Sequence, residues 1–395
     1  MNNKTRLSIL LAAAFGAGAA TACTAVIVGK KASATGRVIV AHNEDNSGDV
    51  FIRHALVPAR DFAAGEKIRQ EPDCAAIDQV PHAFGYFWSE VKSRSENPPA
   101  GDMMLNENGV IVFSNNGGWQ PEWNGAKGSL PDEGVHSTLT EGGLKHTLRR
   151  AVAERARTAR EGVAIMTNLV SRWGYAQASR IFTIADKDEA WVVEVIKGRR
   201  FVARRCPDDA VVVHPNCLSV TTLRPDDVVS PNIAAKGADF DFTQAYQGPR
   251  RWCDLYNCYR WKFLYKATTG VDLPLTAFPF SVKPTRPVTE EMIRAGLSSH
   301  YEGTDVEVKD RHPVDTQTSV VPLCRRTTVE SFVCTFGETP KETSLSLATG
   351  RPCETPYASY RPFAGVVPSD TAHGDLAVKR LDTHDLPLAK CLSGK

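Results

Sequence analysis

The chain has 395 residues, 42% hydrophobic and 23% charged, with 47 Lys and Arg against 45 Asp and Glu for a formal charge of +2. That balance gives no electrostatic reason to expect nucleic acid or an anionic membrane as partner. The absence of low-complexity tracts and of a fixed repeat argues against a disordered or solenoid chain. What is left is an ordinary globular protein, large for a single hydrophobic core.

The amino end reads as an export leader. Met1 to Arg6 is basic, Leu7 to Ala20 is apolar, and Ala20-Thr-Ala22 has the small-x-small form of a cleavage site. The apolar run falls short of the ~20 residues that span a bilayer. Residues 1–22 are therefore expected to be a signal peptide, and the mature protein to be exported, periplasmic or secreted, with no membrane contact once processed. Cutting after Ala22 would make Cys23 the first residue, with its thiol and α-amine on adjacent carbons. The amine (pKa about 7.7–8.0) could then serve as base for the thiol (about 8.5). Two other readings of Cys23 stand beside this one. Ala20-Thr-Ala-Cys23 is loosely a lipoprotein signal, and a structural cysteine near a strand start is the third reading.

Ten cysteines in an exported chain invite disulfides. Cys253/Cys258 could close a local loop and Cys324/Cys334 could bridge neighbouring strands; the pairing is otherwise open. No C-x-x-C or H-x-x-x-H spacing appears, so the sequence carries no zinc signature, and no metal or other cofactor is expected.

Taken in order, Thr24–Val28 and Arg37–Ala41 are β-branched runs on either side of a small, polar turn, Gly29–Gly36. An antiparallel hairpin here returns His42-Asn-Glu-Asp45 to Cys23. Gly109–Phe113 is a third strand, ending in Ser114-Asn-Asn-Gly-Gly118. Leu144, Leu148, Ala151, Val152 and Ala156 recur at helical spacing. Thr158-x-x-Glu161 then has capping-box form before a second helix. Runs at 180–185, 190–196, 201–203 and 210–213 read as an antiparallel meander. A helix is expected from about Arg250 to Tyr265. A Pro-rich stretch (270–325) holds a short helix near 289–294, further strands follow from Thr327 to Leu347, and a polar tail occupies 371–395. Strands and helices in separate blocks indicate an α+β fold.

Several segments together resemble the dipeptidase A family of N-terminal-nucleophile cysteine hydrolases, which is related to the secernins. They are Cys23-Thr-Ala-Val-Ile-Val28 with Ala41–Asp45, Ile184–Trp191 with Glu194, Val282-Lys-Pro284, His300-Tyr-Glu-Gly-Thr304, and Pro356-Tyr357 with Pro362-Phe363. The resemblance implies a four-layer αββα sandwich over residues 23–370, with irregular C-terminal additions, and cleavage of amide bonds. It implies Cys23 as nucleophile, Asp45 as the group that holds its amine, Asn116 as oxyanion donor (Asn115 in the other register), Asn216 as a second active-site amide, and Arg250 or Arg251 as a later arginine. Asn43 belongs to the same segment. His42 stands where these relatives usually place arginine, so the expected fixed cation beside the thiol is missing. The partner implied is a small-molecule substrate, a dipeptide or an acyl amide; a homo-oligomer is compatible with the sequence.

Overall fold

The computed structural model describes residues 23–46, 50–93, 100–117, 138–247, 255–275, 279–313, 320–367 and 379–380. The expected leader and Arg250 and Arg251 lie outside these residues.

Two β-sheets form the middle of the molecule. In the six-stranded sheet the order is 211–214, 24–28, 39–45, 328–335, 344–349 and 358–360, all antiparallel. The hairpin forms as the sequence suggests, with Thr24 opposite Asn43 and Val28 opposite Ile39. A β-carbon on Gly29 would run into the backbone of Pro207 and Asp208, so the turn that leaves the first strand requires a residue without one. The nine-stranded sheet runs 228–229, 200–205, 190–198, 175–185, 111–116, 100–106, 86–93, 50–57 and 379–380. Its last pair is parallel, Lys379–Arg380 lying against Ala55–Leu56, so part of the polar tail forms a sheet edge.

Strand alternation sorts the apolar side chains into three cores. Ala25, Ile27, Val40, Val212, Phe332 and Leu345 face Phe87, Phe113, Ile181 and Val192 of the other sheet. On the far side of the six-stranded sheet, Val26, Ile39, Val213 and Val333 meet Trp261, Leu264, Ile293 and Leu297. These last four lie on the helices Leu255–Thr269 and Glu290–Leu297. On the far side of the nine-stranded sheet, Val112, Phe182, Trp191 and Trp88 meet Leu148, Val152, Val163 and Val170, which belong to Thr147–Arg155 and Ala159–Trp173. Helix, sheet, sheet, helix is the four-layer αββα order expected. Thr158 caps its helix by accepting from Glu161 N, as the capping pattern suggests.

Two expectations need correcting. The strand at 211–214 does not extend the meander, because it crosses to the other sheet and pairs with Thr24–Val28. Bonds from Gly29 N to Ala210 O (2.9 Å) and from Lys31 N to Asp208 O (2.7 Å) hold the crossing chain there. Nor do Cys324 and Cys334 pair. Both are free thiols, Cys334 within the inter-sheet core and Cys324 in a loop beside His312. Strands 50–57, 86–93 and 100–106 went unread in the sequence.

Polar groups also lock the sheets together. Glu330 accepts from Ser89 and meets His54 Nε2 at 2.6 Å, all three buried. Asn115 Nδ2 donates to His214 O (3.0 Å) across the gap.

Candidate active site

Cys23 precedes the first strand, which lies next to the edge strand 211–214 of the six-stranded sheet, and is 2% exposed. Its carbonyl and its neighbour's hydroxyl are gripped from the helix layer. Arg260 Nη1 donates to Cys23 O (3.0 Å) and to Thr24 Oγ1 (2.9 Å). Its Nη2 donates to Asn216 Oδ1 (3.1 Å) and Asn257 Oδ1 (2.8 Å). This guanidinium is fully buried and spends its planar fork on four neutral oxygens.

The second strand presents alternate residues to the thiol. His42 and Glu44 share its face: Cys23 Sγ lies 3.2 Å from Glu44 Oε2, and the thiol, a His42 ring nitrogen and the Glu44 carboxylate fall within 4.8 Å of one another. The His42 ring packs against Phe113 and Phe332 at 5.1 and 5.8 Å. Asn43 points to the other side, its Nδ2 donating to Leu297 O and Leu323 O (2.9 Å each). The Asp45 carboxylate accepts from Thr328 and pairs with Arg325 at 3.7 Å, both charges fully buried. Asp45 approaches the thiol through its backbone carbonyl, 3.9 Å from Sγ. Glu44, which the sequence reading passed over, is the carboxylate on the thiol.

Two asparagines meet here from the two sheets, Asn216 just past the strand 211–214 and Asn116 from the facing sheet. Asn116 ends its strand and its carbonyl accepts from Asn216 Nδ2 (3.0 Å). Asn216 thus lies between Asn116 and Arg260, with each end of its side chain engaged. A β-carbon on Gly117 would come within 2.5 Å of Ser179 Oγ, so glycine lets the chain pass close to the neighbouring strand just beyond Asn116. Asn115 is turned into the inter-sheet core and holds His214, as described above.

A cation enters from an unexpected place. Arg180 is paired in register with Asn116 and donates to Tyr175 Oη (3.3 Å) and Gln177 Oε1 (3.2 Å). Burial by itself would lower its pKa; Tyr175 and the fields of Cys23 and Glu44 outweigh that and raise it. Arg180 thus carries a positive charge whose field reaches Cys23 and Glu44. No local motif marks Arg180 or Arg260, because each is brought to Cys23 only by the folding of elements distant in sequence.

A buried thiol beside an imidazole and a carboxylate, at the start of a strand in an αββα sandwich, is the arrangement expected of a cysteine-type amide hydrolase. Residues 22–69 and 134–345 match Peptidase family C69, and the chain belongs to that family of peptide-bond hydrolases. It is 25% identical over 315 residues to a probable dipeptidase of Salmonella dublin, covering 73% of this chain and 69% of that protein. It is 26% identical over 335 residues to a dipeptidase of Bifidobacterium longum, covering 72% and 59%. The match to the latter thus spans under two thirds of that relative's length. A mutant conjugated bile acid hydrolase of Clostridium perfringens aligns over 86% of this chain and 96% of its own, at 10% identity and a TM-score of 0.37, too distant a likeness to bear on the site.

Proposed function

We propose that the protein is an exported dipeptidase whose signal peptide is removed after Ala22, leaving Cys23 as an amino-terminal nucleophile. The observation that carries this reading is the setting of Cys23, a buried thiol 3.2 Å from Glu44 with its own carbonyl fixed by Arg260. The match to the family begins at residue 22, which supports a functional start at this point.

The α-amine takes the thiol proton, and Sγ attacks the scissile carbonyl carbon. Amides at the Asn116 strand end and nearby backbone N–H groups stabilise the oxyanion, an effect of about 2.7–4 kcal/mol where it has been measured for one donor. The ammonium then returns its proton to the leaving nitrogen as the C–N bond breaks, giving a thioester. Water, deprotonated by the same amine, attacks that thioester, the C–S bond breaks as the ammonium returns its proton to sulfur, and the acid leaves. Asn216 and Arg260 hold the backbone of the nucleophile in position rather than touching the reacting atoms. A dipeptide carries one charge of each sign, and Arg180 and Glu44 offer one of each toward the thiol, which supports a small zwitterionic substrate.

The test is a panel of dipeptides and acyl amides against the mature protein, with Cys23→Ser as control. Turnover of dipeptides that requires their free amine and is lost in Cys23→Ser is expected. Preference for long apolar acyl groups would move the reading to an acyl-amide hydrolase, and unchanged turnover in Cys23→Ser would refute the mechanism.

A further inference from the structure

Four side chains converge from sequence positions 300, 312, 324 and 353. His300 Nε2 and His312 Nε2 are 3.3 Å apart, Cys324 Sγ lies 3.7 Å from His312 Nε2, and Cys353 Sγ lies 3.3 Å from the same nitrogen. All four ligand atoms fall within 4.8 Å of one another. A zinc ion with tetrahedral bonds of about 2.0–2.1 Å to nitrogen and about 2.3 Å to sulfur sets its ligands about 3.3 Å apart (N···N) and about 3.6 Å apart (N···S). The observed separations fall close to those edges.

The surroundings fit as well as the distances. His300 Nδ1 meets Glu302 Oε1 at 2.9 Å, and His312 Nδ1 meets Glu354 Oε1 at 3.3 Å. A carboxylate on Nδ1 fixes the tautomer and turns the bare Nε2 toward the metal, the usual outer arrangement of a zinc histidine. A neutral imidazole has one N–H. With the His300 N–H spent on Glu302, the bare His300 Nε2 faces His312 Nε2 at 3.3 Å, an arrangement that a cation bound to both rings fits. The thiols are free, Cys324 buried and Cys353 half-buried.

We propose that His300, His312, Cys324 and Cys353 bind one zinc ion as a closed structural site. Two thiolates and two imidazoles select zinc over the oxygen-seeking cations, and with four protein ligands no position remains for substrate. The site is tied to the catalytic strand. Leu323 O, just before one ligand, accepts from Asn43, and Arg325, just after it, pairs with Asp45. Zinc thus braces the loop on which the second strand rests.

The experiment is elemental analysis of the mature full-length protein, combined with the visible spectrum after exchange of its metal for Co(II). About one zinc per chain is expected, together with tetrahedral cobalt bands and thiolate-to-cobalt charge transfer. Cys353→Ser should lower zinc retention about tenfold or more in the presence of a chelator, whereas Cys23→Ala should retain it. The spectrum of unsubstituted protein keeps the test open should Cys353→Ser misfold. A Cys324–Cys353 disulfide in metal-free protein, a cobalt spectrum without thiolate ligation, or loss of zinc in Cys23→Ala but not in Cys353→Ser would overturn the proposal.

Discussion

Arg260 Nη2 donates to Asn216 Oδ1 at 3.1 Å while Arg260 Nη1 holds the carbonyl of Cys23 at 3.0 Å. One guanidinium therefore joins a helix, a strand end and the residue that carries the thiol. Replacing it with lysine keeps a charge but loses the fork, and cannot satisfy four buried oxygens. Arg260→Lys is expected to destabilise the fold by about 2–3 kcal/mol, read from the urea midpoint, and to lower kcat more than it changes KM.

Glu44 should set the pH at which the thiol reacts. A carboxylate 3.2 Å from Sγ disfavours a thiolate and favours an ammonium beside it. Removing it in Glu44→Gln should therefore lower both pKa values. The pH profile of Cys23 alkylation by iodoacetamide is expected to move down by about one unit or more. An unchanged profile would remove Glu44 from the account of thiol activation.

Glu194 makes stability depend on pH elsewhere in the fold. Burial raises its pKa to about 7, against hydrogen bonds from Ser219 and Val220 that favour the charged form. The folded state then holds a proton that the unfolded state releases above about 4.5. This contribution is present below that pH, declines through the window from 4.5 to 7, and is gone above it. At ~1.4 kcal/mol per unit, the decline is on the order of 3–4 kcal/mol. Unfolding midpoints should fall across the window in the natural protein, and Glu194→Gln should remove that part of the slope.

Asn43 should matter for stability rather than chemistry. Its Nδ2 satisfies the carbonyls of Leu297 and Leu323, both drawn from the layer outside the sheet. Asn43→Ala leaves two buried acceptors unmet, a loss of about 2 kcal/mol. Calorimetry should show the lowered melting temperature, with kcat/KM for the surviving folded enzyme close to that of the natural protein.

The hairpin that begins at Cys23 was legible because its two β-branched runs flank an obvious turn, and the helix at 159–173 because Thr158 and Glu161 mark its start. The strand at 211–214 looks like its neighbours, and only contacts with Gly29 and Lys31 decide which sheet it joins. Alternation along the second strand places Glu44, not Asp45, on the face of His42, whereas the family resemblance points to Asp45. Arg180 and Arg260 carry no motif. The histidines and cysteines of the proposed zinc site are spread over residues 300–353, too widely for spacing to reveal them.

Mass spectrometry of the mature amino terminus tests the central claim most directly. A catalytically active chain that begins at Cys23, with its α-amine and thiol both free, is the predicted result. A diacylglyceryl group on Cys23, or an active enzyme that keeps residues ahead of it, would contradict the account.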